Sequence, residues 1–308
     1  MSGVVGVSTC WLSRVSNDGA GIISGIAGIG AAAVELDYRL TPAMLGHVEA
    51  ALGSRGMGIV SIHAVCPAVE GKQDTRQAER YSVSSASEDE RRMAVADVID
   101  TIRTAARLAV KNVVLHCGKT PMERVTPIIQ RMYDDGTLHT PEGQKRIGQF
   151  KTDRLRSRGN TFKNLLKSLD EIGGEAARNG VDICLENRYY MEEYPNFEEM
   201  AVIFLRLDNG PIKYWHDTGH AQAQENLGMI SHSAWLKEFS SRMAGVHLHD
   251  VERYTDHLAP PSGAEGCVDF SMVERYIAPG AARVLELRET VTPAQAKAGL
   301  EWLAARAG

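Results

Sequence analysis

Eight short apolar segments punctuate the chain: VGVSTC, AAVELD, GIVSIH, NVVLHC, VDICLEN, IKYWHD, AGVHLH and RVLELR. Near-continuous apolar runs such as NVVLH read as strands buried on both faces, the pattern of a parallel sheet covered by helices. Longer amphipathic stretches separate them, including TPAMLGHVEAALGSRG, SEDERRMAVADVIDTIRTAARLA and TFKNLLKSLDEIGGEAARNG, and later PNFEEMAVIFLRL, SAWLKEFSSRM and TPAQAKAGLEWLAARA. Eight β/α units without a dividing linker, in 308 residues, predict an α/β fold: one (β/α)8 TIM barrel domain over residues 1–308.

Local signals agree with that reading. Ser87 followed by Glu90 resembles a capping box, and Gly180 is placed to stop the helix before the fifth strand. The glycines of GIAGIG end a helix and lead into AAVELD, the reverse of a dinucleotide fingerprint, so they imply a turn or close packing. Residues 119–160 form an insertion after strand four, longer than an ordinary βα loop. Between Lys145 and Lys163 it carries Lys145, Arg146, Lys151, Arg154, Arg156, Arg158 and Lys163 against Asp153 alone. A solvated helical insertion or subunit contact is the plain reading; a lid or an anion-binding wall is the functional one.

Composition is that of a globular protein, with 44% hydrophobic and 24% charged residues. A net charge of -5 disfavours nucleic acid as a partner. The N-terminus lacks the signature of a secretory signal, and no apolar run approaches a membrane span, so a cytoplasmic location is expected. Cys10, Cys66, Cys117, Cys184 and Cys267 contain no CxxC pair and read as reduced structural thiols.

The chemistry sits at the ends of the apolar runs. Asp37, His63, His116, Glu186, Asp217, His247 and Glu286 all fall at or near such ends. In a parallel β/α barrel those ends build the active face. Glu186, Asp217, His247 and Glu286 come from strands five to eight. Facing one cavity without a cation, they repel or stay unpaired at high cost. The set suits one divalent ion with mixed oxygen and nitrogen ligands, Mn²⁺ or Co²⁺, while further imidazoles favour Zn²⁺.

The motifs LEN, DTGH, HLHD, DHLAPPSG and VLEL resemble those of the xylose-isomerase-like barrel superfamily, which holds sugar isomerases and epimerases and the endonuclease IV type of DNA repair enzyme. The resemblance runs from SIHA at strand three to the last strand. Its ketose 3-epimerase branch implies one metal on Glu186, Asp217, His247 and Glu286, with Glu186 and Glu286 as the catalytic acid–base pair. It also implies substrate contacts by Glu192, Arg253, His220 and His249. The endonuclease IV branch implies up to three zinc ions, recruiting His63, His116, His220 and His257 as well. There the chain departs from the pattern: Thr255 stands where that branch has an Asp, with Asp256 beside it, and His249 replaces an Asn.

The resulting expectation is a divalent-metal-dependent isomerase or epimerase acting on a sugar or sugar phosphate through an enediolate. The alternatives are a zinc phosphodiesterase, a metal-dependent lyase or dehydratase on a polyol-derived acid, and a non-enzymatic binding barrel. A homo-oligomer is implied by the resemblance alone.

Overall fold

The computed structural model describes residues 4–69, 80–208 and 210–306. Ten strands occur in chain order: β1 (Val5–Ser8), β2 (Ala33–Leu36), β3 (Gly58–His63), β4 (Asn112–Leu115), β5 (Asp182–Glu186), β6 (Ile212–Asp217), β7 (Met243–Leu248), β8 (Asp250–Glu252), β9 (Thr255–Leu258) and β10 (Ala282–Leu285). Eight of them close a barrel in the order β1-β10-β7-β6-β5-β4-β3-β2, with every pairing parallel. All eight predicted strands are present. The antiparallel hairpin β8–β9 was not anticipated.

Two apolar layers hold the barrel. Between strands and helices lies a continuous core that includes Ile22, Leu36, Val98, Leu169 and Trp235. Inside the barrel, Val114, Cys184, Trp215 and Val284 form a separate plug. Gly245 on β7 makes room for it, because a Cβ there would lie 2.2 Å from the Trp215 ring. Trp215 in turn stands 5.2 Å from the His247 ring, centroid to centroid, and floors the open end.

Helix boundaries follow the sequence chemistry. Thr41 caps Pro42–Arg55 by accepting from the Met44 N–H, and Gly56 ends that helix at φ 64. Gly180 does the same after Thr161–Asn179 at φ 67. The box expected at Ser87 is half formed. Ser87 caps Glu88–Arg107 through the Glu90 N–H, but the Glu90 carboxylate takes the Ser85 hydroxyl at 2.8 Å instead of reaching back. The GIAGIG glycines end the helix Gly19–Gly28 ahead of β2, as expected. None of the five cysteines is joined in a disulfide.

The 119–160 insertion contains the helices Thr126–Asp134 and Pro141–Ser157. Val125, Ile129, Met132, Leu138 and Ile147 share a second small core with Met191, Leu227 and Met229, which fastens the insertion to the loops after β5 and β6. Arg154 is buried, gives Nε to the Met191 carbonyl at 2.6 Å and pairs with Glu199 at 2.6 Å. Lys151 donates to the Met229 carbonyl at 2.7 Å. The basic run is thus partly an internal strut rather than a free cationic face.

Candidate active site

Parallel closure places the ends of β5, β6 and β7 and the residue after β10 at one mouth. Glu186 and Asp217 are the last residues of β5 and β6, His247 pairs in register with Asp217, and Glu286 follows β10 directly. One ligand atom from each of these four lies within 4.8 Å of all the others.

His247 is the centre of the group. Its Nε2 donates to Glu35 at 3.0 Å, and Glu35 also accepts from Ser61 Oγ at 2.8 Å. Its Nδ1 faces Glu186 at 2.7 Å, Glu286 at 3.1 Å and Asp217 at 3.6 Å. With Nε2 already committed to Glu35, Nδ1 presents either a lone pair or a second proton. A lone pair facing three carboxylates is repulsive unless a cation shares the space. In its absence a proton takes that place: burial pushes the imidazole down, but Glu286 and Glu35 outweigh it and hold His247 well above its ordinary value. Three carboxylates and one imidazole nitrogen converging in this way fit a divalent cation.

The carboxylates respond in kind. Burial pushes Glu186 up, yet Arg188, His116 and His247 outweigh it and hold the carboxyl well below its usual range. Glu286 is likewise pushed up by burial and pulled lower still by His247 and His257. Asp217 is lowered by His220 and His249 against its burial. Its side chain also caps the helix Thr218–Asn226, accepting the His220 N–H at 2.7 Å.

Arg188 crosses the site beside this cluster. Its guanidinium touches Glu186, reaches Glu193 at 3.1 Å and lies 2.5 Å from His116 Nε2. His116 is pushed well below its ordinary value, by burial first and by Arg188 second. A fixed cation therefore sits beside His116 and Glu186, which themselves approach to 3.2 Å.

Three further groups adjoin the centre: His63, His116 and Glu186; Asp217, His249, His257 and Glu286; and His220, Asp256 and His257. The hairpin β8–β9 delivers Asp256 and His257. Asp256 contacts His257 at 3.2 Å and His220 at 3.7 Å, while His257 Nε2 lies 3.5 Å from Glu286. A cavity of about 830 Å³ opens above, lined by Glu186, Glu286, His63, His116, His220, Asp256 and His257 together with Tyr189 and Tyr190.

The remaining expected residues divide. Glu192 lines the cavity, and burial raises its carboxyl above the ordinary value. His249 is fully buried behind Asp217: its Nε2 donates to Asp217 at 2.9 Å and its Nδ1 accepts the His257 N–H at 2.8 Å. Gly219 accommodates it, since a Cβ would stand 2.1 Å from the His249 ring. Arg253 is not among the lining residues; it pairs with Asp134 of the insertion at 2.7 Å. None of the seven basic residues between Lys145 and Lys163 lines the cavity, whose contributions from the insertion are Lys119, Arg124 and Gln130. Asp37 stands apart from the cluster and pairs with Arg39 at 2.9 Å.

Sequence reasoning missed Glu35, whose signal was a lone acid inside the apolar run AAVELD. It also missed Asn187, which donates to the Asp217 carbonyl at 2.9 Å and accepts the Asp217 N–H at 2.8 Å.

The xylose isomerase-like TIM barrel family matches residues 24–306. The chain belongs to that family. No curated protein matches it in sequence. Among solved structures it is similar to 3-keto-D-glucoside 4-epimerase from E. coli, at 15% identity and TM-score 0.67, covering 98% of both chains. It is also similar to a D-tagatose 3-epimerase-like protein, at 19% identity and TM-score 0.66, over 99% of this chain and 97% of the other. D-psicose 3-epimerase from Clostridium cellulolyticum H10 shares 15% identity at TM-score 0.64, over 99% of each chain. At these identities the likeness is one of fold. No helix among the described residues is long and apolar enough to cross a membrane.

Proposed function

We propose that this protein is a metal-dependent sugar isomerase or epimerase in which Glu186 and Glu286 hand a proton to and from a carbon next to a carbonyl. The observation that carries the reading is the convergence of Glu186, Asp217 and Glu286 on His247 Nδ1 at the barrel mouth. These four residues would hold one divalent cation, Mn²⁺, Co²⁺ or Zn²⁺. Such an ion supplies Lewis-acid stabilisation of negative charge on the substrate's oxygens.

The protein's own groups do the rest. Glu186 and Glu286 approach from non-adjacent strands, β5 and β10, so a carbon between them is reached from two sides. Their cationic neighbours hold both carboxyls low, which suits a base; inversion requires that one, ionised, takes the proton while the other, carrying a proton from solvent for that turnover, delivers it to the opposite face. A single carboxylate doing both gives isomerisation instead. Tyr189, Tyr190 and Glu192 line the space for a polyhydroxylated chain. The fold likeness to sugar epimerases agrees with this chemistry.

Arg188 favours one ion over three. Its guanidinium touches both His116 and Glu186, so a second cation on His63, His116 and Glu186 would meet a fixed positive charge. This weighs against the zinc phosphodiesterase reading.

Glu286→Gln is expected to retain the fold, to bind the metal more weakly and, at saturating metal, to lose at least about a hundredfold in turnover. The measurement is C–H exchange in D₂O across a panel of ketoses and ketose phosphates, with elemental analysis of the same sample. Full exchange by the variant removes the acid–base assignment. Three tightly held zinc ions per chain, with cleavage of an abasic duplex, turn the reading toward phosphodiester hydrolysis.

A further inference from the structure

Several cations line the cavity, among them Lys119, Arg124 and Arg188 on one side and Arg14, Arg39 and Arg288 on the other. The last three follow β1, β2 and β10, which are neighbours in the closed barrel. Arg39 is paired with Asp37 at 2.9 Å and Arg14 with Glu289 at 3.3 Å. The Glu289 carboxyl is lowered chiefly by its own backbone contact, and also by Arg14 and Arg288.

Arg288 is different. Among the described residues its side chain makes no ion pair, and its Nε is buried with no hydrogen-bond partner. A buried Nε left in this state is costly, and the planar fork of this half-buried side chain matches a carboxylate or phosphate. It also lies two residues beyond Glu286, about 7 Å along an extended chain, and both residues line the cavity. A molecule reacting at Glu286 therefore reaches Arg288 through a few carbons.

We infer that the substrate is an anionic sugar derivative, a carboxylate or a phosphate ester, whose charged end is held by Arg288 on a wall completed by Arg14 and Arg39. This rests on the isomerase or epimerase reading for the sugar but not for the anion. It also relocates the anion site from the 145–163 segment, which does not line the cavity, to the opposite face of the mouth.

Calorimetry with inorganic phosphate and with D-glucuronate, on metal-loaded wild type, Arg288→Gln and Arg288→Lys, tests the assignment. Saturable binding by wild type is expected, weakened about tenfold to a hundredfold in Arg288→Gln and largely kept in Arg288→Lys. Preference between the two probes separates a phosphate ester from a sugar acid. No binding by wild type, or equal binding by wild type and Arg288→Gln, overturns the inference. If Arg288→Gln does not fold, retention of binding by Arg288→Lys together with its loss in Arg288→Met decides, with thermal unfolding as the control. C–H exchange on neutral and anionic ketoses runs alongside. Anion binding without any exchange rejects the epimerase reading and leaves the Arg288 site standing. Exchange of neutral sugars without anion binding does the reverse.

Discussion

His247 is gripped from behind by Glu35, and that grip sets what its front nitrogen offers. With Nε2–H directed at Glu35 over 3.0 Å, Nδ1 is aimed at the three carboxylates. Partners of this kind usually govern metal affinity by about 10–100-fold. Glu35→Leu is therefore expected to weaken metal binding by that order while the barrel still folds; a competitive chelator titration reads it, and an unchanged affinity refutes the role. A second consequence concerns pH. In metal-free protein, His247 keeps its proton well above 6.5, whereas an unfolded chain loses it near that value. Its stabilising contribution is complete below about pH 6.5 and drains away as pH rises through the higher folded value. Chelated protein should thus unfold at a lower temperature at about pH 9 than at about pH 6.5, while metal-loaded protein holds or gains, because the ion takes the proton's place. Thermal scans with and without chelator check both halves. Glu186, Asp217, His247 and Glu286 were legible in the sequence because each is an acid or imidazole ending an apolar run. Glu35 was harder, lying inside its run rather than at its end. Arg253, which the resemblance implied as a substrate contact, stands at a turn with φ 60 and pairs with Asp134 instead of lining the cavity.

Hairpin β8–β9 is the element on which the outer half of the site hangs, and a single buried acid holds it. Asp250 accepts the Val251 N–H at 2.8 Å, the Val268 N–H at 2.9 Å and the Ser262 N–H at 2.7 Å, tying the segment after β9 to the start of β8. Asp250→Ala orphans three N–H groups and should cost about 3 kcal/mol, seen as a lowered midpoint in denaturant unfolding. Loss of order in the hairpin should also displace Asp256 and His257. The hairpin escaped sequence reading because its strands are only three and four residues long and carry a polar string, DVE and TDHL, with no alternation to betray them. The barrel strands were easy for the opposite reason: burial on both faces forces continuous apolar runs. Gly219 belongs to the same scale. It reads as part of DTGH, but only the folded packing reveals that it leaves space for the His249 ring.

At the scale of the whole molecule, the insertion and the barrel are one cooperative body rather than a barrel with a loose flap. Arg154 joins the helix Pro141–Ser157 to Glu199 and to the Met191 and Glu193 carbonyls. Removing one member of such a buried pair typically costs about 3–5 kcal/mol. Arg154→Met should therefore release the insertion before the barrel melts, visible as protease cleavage within 119–160 under native conditions. Cleavage no faster than in wild type would show that the apolar contacts of Ile129, Ile147 and Met191 suffice. The sequence marked the insertion by its length and its lysines and arginines. It could not show which of those charges point inward, because burial of an arginine depends on a distant acid such as Glu199. Arg188 has a last implication at this scale. A guanidinium, unlike an ion drawn from the surroundings, cannot be stripped by starvation or by a scavenger. Part of the positive charge that keeps the mouth of the barrel from springing apart is permanent, so the metal-free protein should keep its shape and take up an ion when the supply returns.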